Sequence, residues 1–241
     1  MYIVKKDGSP VYGRSFEDDA CLDLNTIPSY VRSAVVMMQS SSGTSSDRVY
    51  TLEVNDGVWA YSFFHSFVLI SLASKDQSFS QLKNKISSLG RAIAYQFGEI
   101  IESWSGSMND IVDVNALIDN YMALDLNRPS SKILKVIDSL VNKALKQPEI
   151  AFVGIFDSEG EMISGTVPDL YMFRIQVEIS QGVIKPIMDI VPSTINAGDH
   201  TLQMFNVSSL TVVVASQPGE SNLYAVSTAG EIAYAINEKM S

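Results

Sequence analysis

The sequence predicts an α+β protein built as two consecutive sandwiches, each a five-stranded antiparallel sheet flanked by helices. Three observations predict it. Asp7-Gly8 and Asp56-Gly57 each stand between short apolar runs, which is the signature of an antiparallel hairpin. From Phe79 to Trp104 the apolar residues advance by threes and fours, drawing the single stripe of an amphipathic helix. Both halves of the 241 residues then show one order of elements: hairpin, helix, three-stranded meander, helix.

In the first half, Tyr2-Ile3-Val4-Lys5 and Pro10-Val11-Tyr12-Gly13 flank the first turn. Ile27, Val31, Val35 and Met38 recur at helical spacing, so a helix is expected from about Asn25 to Gln39, with Pro28 in its first turn. Ser40 to Ser46 reads as a loop. Arg48 to Val54, Val58 to Phe63 and Phe67 to Ala73 read as three antiparallel strands, with a turn at Asn55-Asp56-Gly57. The long helix follows, with Phe79, Leu82, Ile86, Leu89, Ile93, Phe97, Ile100 and Trp104 on its stripe, and Gly90 and Gly98 positioned for close approach to the sheet. A short helix from Asp110 to Met122 leads into Asp125-Leu126-Asn127-Arg128-Pro129-Ser130, a linker that sets the domains at 1–124 and 125–241.

The second half opens with a helix from Ser131 to Lys146, stopped by Pro148. Ile150 to Phe156 and Glu161 to Ser164 form a hairpin around Asp157-Ser158-Glu159-Gly160. The stretch from Asp169 to Val191 supports two readings. Phe173, Ile175, Val177 and Ile179 alternate with polar residues, as in a strand. Phe173, Val177, Ile184, Ile187, Met188 and Val191 instead fit one helical face, kinked at Pro186. The helix is favoured, because it matches the position of the helix after the first hairpin. Thr201 to Val207, Leu210 to Ala215 and Asn222 to Ser227 read as strands, and Ala229 to Met240 as a closing helix.

Composition narrows the function classes. Hydrophobic residues at 46% exclude disorder, and a formal charge of −10 opposes phosphate backbones, so nucleic acid is not an expected partner. The single cysteine, Cys21, cannot form an intramolecular disulfide, which fits a reducing compartment. Met1-Tyr2-Ile3-Val4 runs straight into Lys5-Lys6-Asp7-Gly8 rather than into a leader, and the greasiest window, Phe63 to Ala73, is too short to span a membrane. The expectation is a soluble cytoplasmic protein with no integral membrane segment, in which Asn206-Val207-Ser208 is a coincidental sequon.

The residues Ile3-Val4-Lys5-Lys6-Asp7-Gly8-Ser9-Pro10-Val11-Tyr12 and Phe67-Val68-Leu69-Ile70-Ser71-Leu72, in this element order, make the first half resemble a longin domain. Val153-Gly154-Ile155-Phe156-Asp157-Ser158-Glu159-Gly160-Glu161-Met162-Ile163-Ser164, preceded by an amphipathic helix, makes the second half similar to a roadblock (dynein light-chain) domain. The fold implied for both is the profilin/longin/roadblock type of sandwich. The function implied is not enzymatic: such modules bind small Ras-like GTPases, pair with sister longin or roadblock subunits, and serve trafficking, motility and polarity. This is analogy at the level of the fold.

The residues themselves offer little catalytic chemistry. No G-x-x-x-x-G-K-[ST] loop is present, and Gly219-Glu220-Ser221-Asn222-Leu223 breaks the G-x-S-x-G pattern at its last position. Ser80-Gln81-Leu82-Lys83 fits S-x-x-K without the companion motifs, and reads as a helix start with a solvated lysine. His65 and His200 are the only histidines, too few with one cysteine for a zinc site. They read as a strand bend and a strand start. Glu17, Asp18, Asp19 and Asp23 lack the spaced ligands of a calcium loop, and acidic neighbours disfavour a Cys21 thiolate.

If Asp169 to Val191 is one helix, its apolar residues cover most of the cylinder, so one side faces the sheet and another faces a partner or the first domain. On that basis Met172, Ile175, Gln176 and Ile179 are assigned to a partner or dimer interface. The expected protein is a cofactor-free adaptor or regulatory subunit, recruited to membrane through its partner. The rival readings are a small-ligand sensor of profilin-like fold and, last, a hydrolase.

Overall fold

The structure, a computed structural model, describes residues 1–40, 48–54, 57–76 and 78–240, arranged as two units, Met1–Ala123 and Leu124–Ser241. In the first unit, strands β1 (Tyr2–Lys5), β2 (Pro10–Ser15), β3 (Ala20–Cys21), β4 (Val49–Val54), β5 (Gly57–Phe63) and β6 (Phe67–Ala73) pair antiparallel in the order β3-β2-β1-β6-β5-β4. Helices α1 (Ser29–Ser40), α2 (Phe79–Ser103) and α3 (Val112–Met122) complete it.

Local chemistry explains the first hairpin. Gly8 takes φ +86°, the left-handed region that favours glycine, and its N–H donates to the Lys5 carbonyl at 3.0 Å. The Asp7 carboxylate accepts the Ser9 N–H at 2.8 Å and the Ser9 hydroxyl, which together lower its pKa. Alternation along β5 and β6 then sorts two cores. Tyr61, Phe63, Val68 and Ile70 join Tyr2, Val4, Trp59, Ile27, Val31 and Val35 beneath α1. Ser62, Phe67 and Leu69 point the other way, the side on which Gly90 of α2 abuts Phe64. A Cβ on Gly90 would lie 2.2 Å from the Phe64 ring, so only glycine permits this approach.

Two expectations for this unit are corrected. The helix does not begin at Asn25. Leu24–Thr26 forms one 3-10 turn capped by Asp23, and Ile27, restricted by the following Pro28, is extended (φ −53°, ψ 122°). The sheet has a sixth strand where five were expected, because the two residues of β3 pair with β2 (Arg14 with Cys21), which puts Cys21 in an edge strand. The predicted turn residues Asn55 and Asp56 and the loop residues Ser41 to Ser46 lie outside the described residues; Ser40 ends α1 and Gly57 opens β5.

The second unit contains α4 (Ser131–Ala144), β7 (Ile150–Phe156), β8 (Met162–Gly165), α5 (Asp169–Gln181), β9 (Ser193–Ala197), β10 (His200–Val207), β11 (Leu210–Ser216) and α6 (Asn222–Met240). Its antiparallel order is β8-β7-β11-β10-β9. Setting β3 aside, both sheets run second, first, fifth, fourth, third. One face packs Val153, Ile155, Val212 and Val214 against Ile137 and Val141 of α4 and Ala229, Ile232 and Ile236 of α6. The other packs Phe152, Phe156, Met204 and Val213 against Tyr171 and Ile175 of α5.

Three further corrections fall here. Asn222 to Ser227 is the start of α6, not a strand: Ala225, Ala229, Ile232, Ala233 and Ile236 are buried at helical spacing, and the small side chain of Ala225, the one buried residue in the first six, carries little pattern. The fifth strand is β9, in which only Ile195 and Ala197 turn inward, as befits a sheet edge. The stretch from Asp169 is a helix, but it stops at Gly182, whose N–H returns to the Ile179 carbonyl at 3.0 Å. Pro186 therefore lies beyond the helix and kinks nothing.

Candidate interaction surface

Helix α5 is short and two-sided. Tyr171 and Ile175 are buried on the sheet, with Met172 and Ile179 half-buried beside them. Leu170, Phe173 and Val177, at i, i+3 and i+7, form a second apolar stripe on the opposite side. Leu170 is 72% and Phe173 77% exposed, large values for side chains of this type. Arg174 borders the stripe and pairs with Glu178 one turn on, at 2.6 Å. Ile187, Ile190 and Val191 are also exposed, in the segment after the helix. That segment is tied to β10, because Asp189 accepts the Asn206 N–H at 3.0 Å and side-chain amide at 2.8 Å and pairs with Lys185 at 2.9 Å.

The four residues assigned to an interface from sequence separate here. Ile175 is fully enclosed by its own unit, and Met172 and Ile179 lean on the same core. Gln176 is exposed beside the β7–β8 turn, where a Cβ on Gly160 would come within 3.3 Å of it. The helix ends before the apolar run does, so the cylinder is not apolar all round. Leu170 and Phe173 are the residues that sequence reasoning passed over. Their signal was the pair of opposed stripes, legible once Gly182 is read as the helix end.

Among the remaining candidates, His200, Asp18, Asp19 and Asp23 have structural partners. His200 Nδ1–H donates to the Ser216 carbonyl at 3.0 Å, with Phe152 and Tyr171 rings at 5.3 and 5.5 Å. His65 lies exposed in the bend between β5 and β6. Arg14 binds Asp19 at 2.6 Å and Asp119 at 2.7 Å, and the Asp19 bond chiefly holds its guanidinium protonated. Asp18 accepts from Ser15 at 3.4 Å and Asp23 caps the 3-10 turn at 2.9 Å, so the acidic run is a pinned turn. Ser80 and Lys83 lie in the first turns of α2. Among the described residues no three His, Cys, Asp or Glu are grouped to hold a metal ion, and no helix is long and apolar enough to cross a membrane. Comparison with protein-family models and with curated proteins finds no match to this chain.

Proposed function

We propose that the chain is a non-catalytic adaptor or regulatory subunit that binds a small Ras-like GTPase or a sister longin or roadblock subunit, in the cytoplasm and in the service of membrane trafficking or polarity. One observation carries this reading: α5 buries one apolar stripe in its own core and holds out Leu170 and Phe173 on its other side, with Val177 half-buried in line with them. Exposed apolar stripes of this kind mark surfaces that associate. The resemblance of the two halves to longin and roadblock domains supplies the class of partner, and the shared sheet order of both units is consistent with two related modules.

The stripe is smaller than a stable interface, which buries about 800 Å² per partner. Leu170 and Phe173 thus act as central anchors with a polar surround, the usual arrangement of binding hot spots. Regulation follows if the surface fits one nucleotide state better than the other, since only differential affinity shifts a population. The test is capture of small GTPases loaded with GDP or with a non-hydrolysable GTP analogue, by the native chain and by Phe173→Asp. Recovery in one state, lost in the variant, is expected; equal recovery by both chains would sink the assignment of the surface.

A further inference from the structure

We propose that the second unit carries a binding site for a small uncharged polyol, a molecule of pentitol-to-hexose size. A cavity of about 280 Å³ lies between the C-terminal turn of α5, strands β9 and β10, and the turn joining β10 to β11. Ser158, Ser193, Thr194, Ser208, Ser209 and Thr211 all line it, an unusual density of hydroxyls. The volume is near the lower end of small-molecule sites.

The hydrogen bonds decide what could fill it. Ser193 donates to the Met204 carbonyl at 3.4 Å, Thr194 to Gln203 Oε1 at 3.0 Å and Thr211 to Asn206 Oδ1 at 2.9 Å. With those protons committed, these hydroxyls offer a ligand lone pairs, so the ligand must bring donors. Ser209 is only 5% exposed, and its Oγ is buried without a partner among the described residues. A buried hydroxyl with no hydrogen bond is rare in folded proteins, and a ligand O–H would satisfy it.

Charge selects against ions. No Lys, Arg or His lines the cavity, so phosphates and carboxylates find no counter-charge. Its one carboxylate, Glu178, is paired with Arg174 at 2.6 Å, which leaves little to hold an amine. Ile179, Ile184 and Met204 supply apolar wall for the C–H faces of a polyol ring or chain.

The test is titration of the full chain with myo-inositol, ribitol and glucose, followed by backbone amide shifts of Ser193, Ser209 and Thr211. Inorganic phosphate and spermidine represent the charged classes. At least one polyol should give saturable shifts. Ser209→Ala should weaken it tenfold or more, and Val183→Trp, placed at the cavity wall outside regular structure, should abolish it while the circular dichroism stays native. Saturation by phosphate or spermidine alone, no saturation by any polyol, or polyol binding indifferent to both variants would each overturn the proposal. GTPase capture is read separately, so failure here leaves that reading standing.

Discussion

Tyr61 places a phenol in the core beneath α1, where its hydroxyl has no partner among the described residues. Burial pushes its pKa up from 10.0 to about 12. The sign of the consequence is fixed: a phenol that keeps its proton more firmly when folded adds stability that is whole below pH 10 and drains away as pH rises toward 12. Denaturant titrations between pH 9 and pH 11.5 should show that decline, and Tyr61→Phe should flatten part of it. The same variant should unfold no more easily at pH 7, because it removes an unsatisfied polar group rather than a bond, a gain of about 1 kcal/mol; a loss larger than that would mean that the hydroxyl has a partner. Gly90 makes a second residue-scale prediction. Alanine normally favours a helix by about 1 kcal/mol. Here its Cβ would enter the Phe64 ring, so Gly90→Ala should destabilise by about 1–3 kcal/mol, measured as a lower midpoint of unfolding.

At the scale of the element, α5 separates structure from binding on one helix. Ile175→Asp puts a charge into a closed core and should cost about 3–5 kcal/mol or prevent folding. Phe173→Asp, two positions away and exposed, should change stability by less than about 0.5 kcal/mol while abolishing capture of a partner. Equal destabilisation by the two would show that the outer stripe is packed. This helix also shows what the sequence disclosed and what it hid. The hairpins at Asp7-Gly8 and Asp157 to Gly160 and the stripe of α2 were legible because turn chemistry and long periodicity are local signals. The boundary of α5 was not, because apolar residues continue past Gly182 into a segment held by Asp189 and Asn206, a tertiary contact. Strand β9 was hidden by having two inward residues, and the start of α6 by alanines whose burial is decided by the sheet opposite. The exposed stripe of the candidate surface was in the sequence, but separating it from the buried one required knowing where the helix ends.

For the whole molecule, each unit buries apolar residues of its own on both faces of its sheet: in the first beneath α1 and on the α2 side, where Phe67, Leu69, Leu89 and Ile93 are buried, and in the second against α4 and α6 and against α5. A fragment of residues 124–241 should therefore fold alone, giving dispersed amide resonances and a cooperative transition; a molten fragment would mean that its core needs the first unit. The chain's −10 charge bears on its partners as well, since it favours basic surfaces and slows approach to anionic membrane. Binding should weaken at high salt if the polar surround of Phe173 contributes, and persist if the apolar anchors dominate. The most direct measurement is titration of purified small Ras-like GTPases, loaded with GDP or a non-hydrolysable GTP analogue, against the full chain and its Phe173→Asp variant. The account predicts that at least one GTPase binds one nucleotide state at least tenfold more tightly, and that the variant loses this binding. Absence of binding in both states, or binding that ignores Phe173, would contradict it.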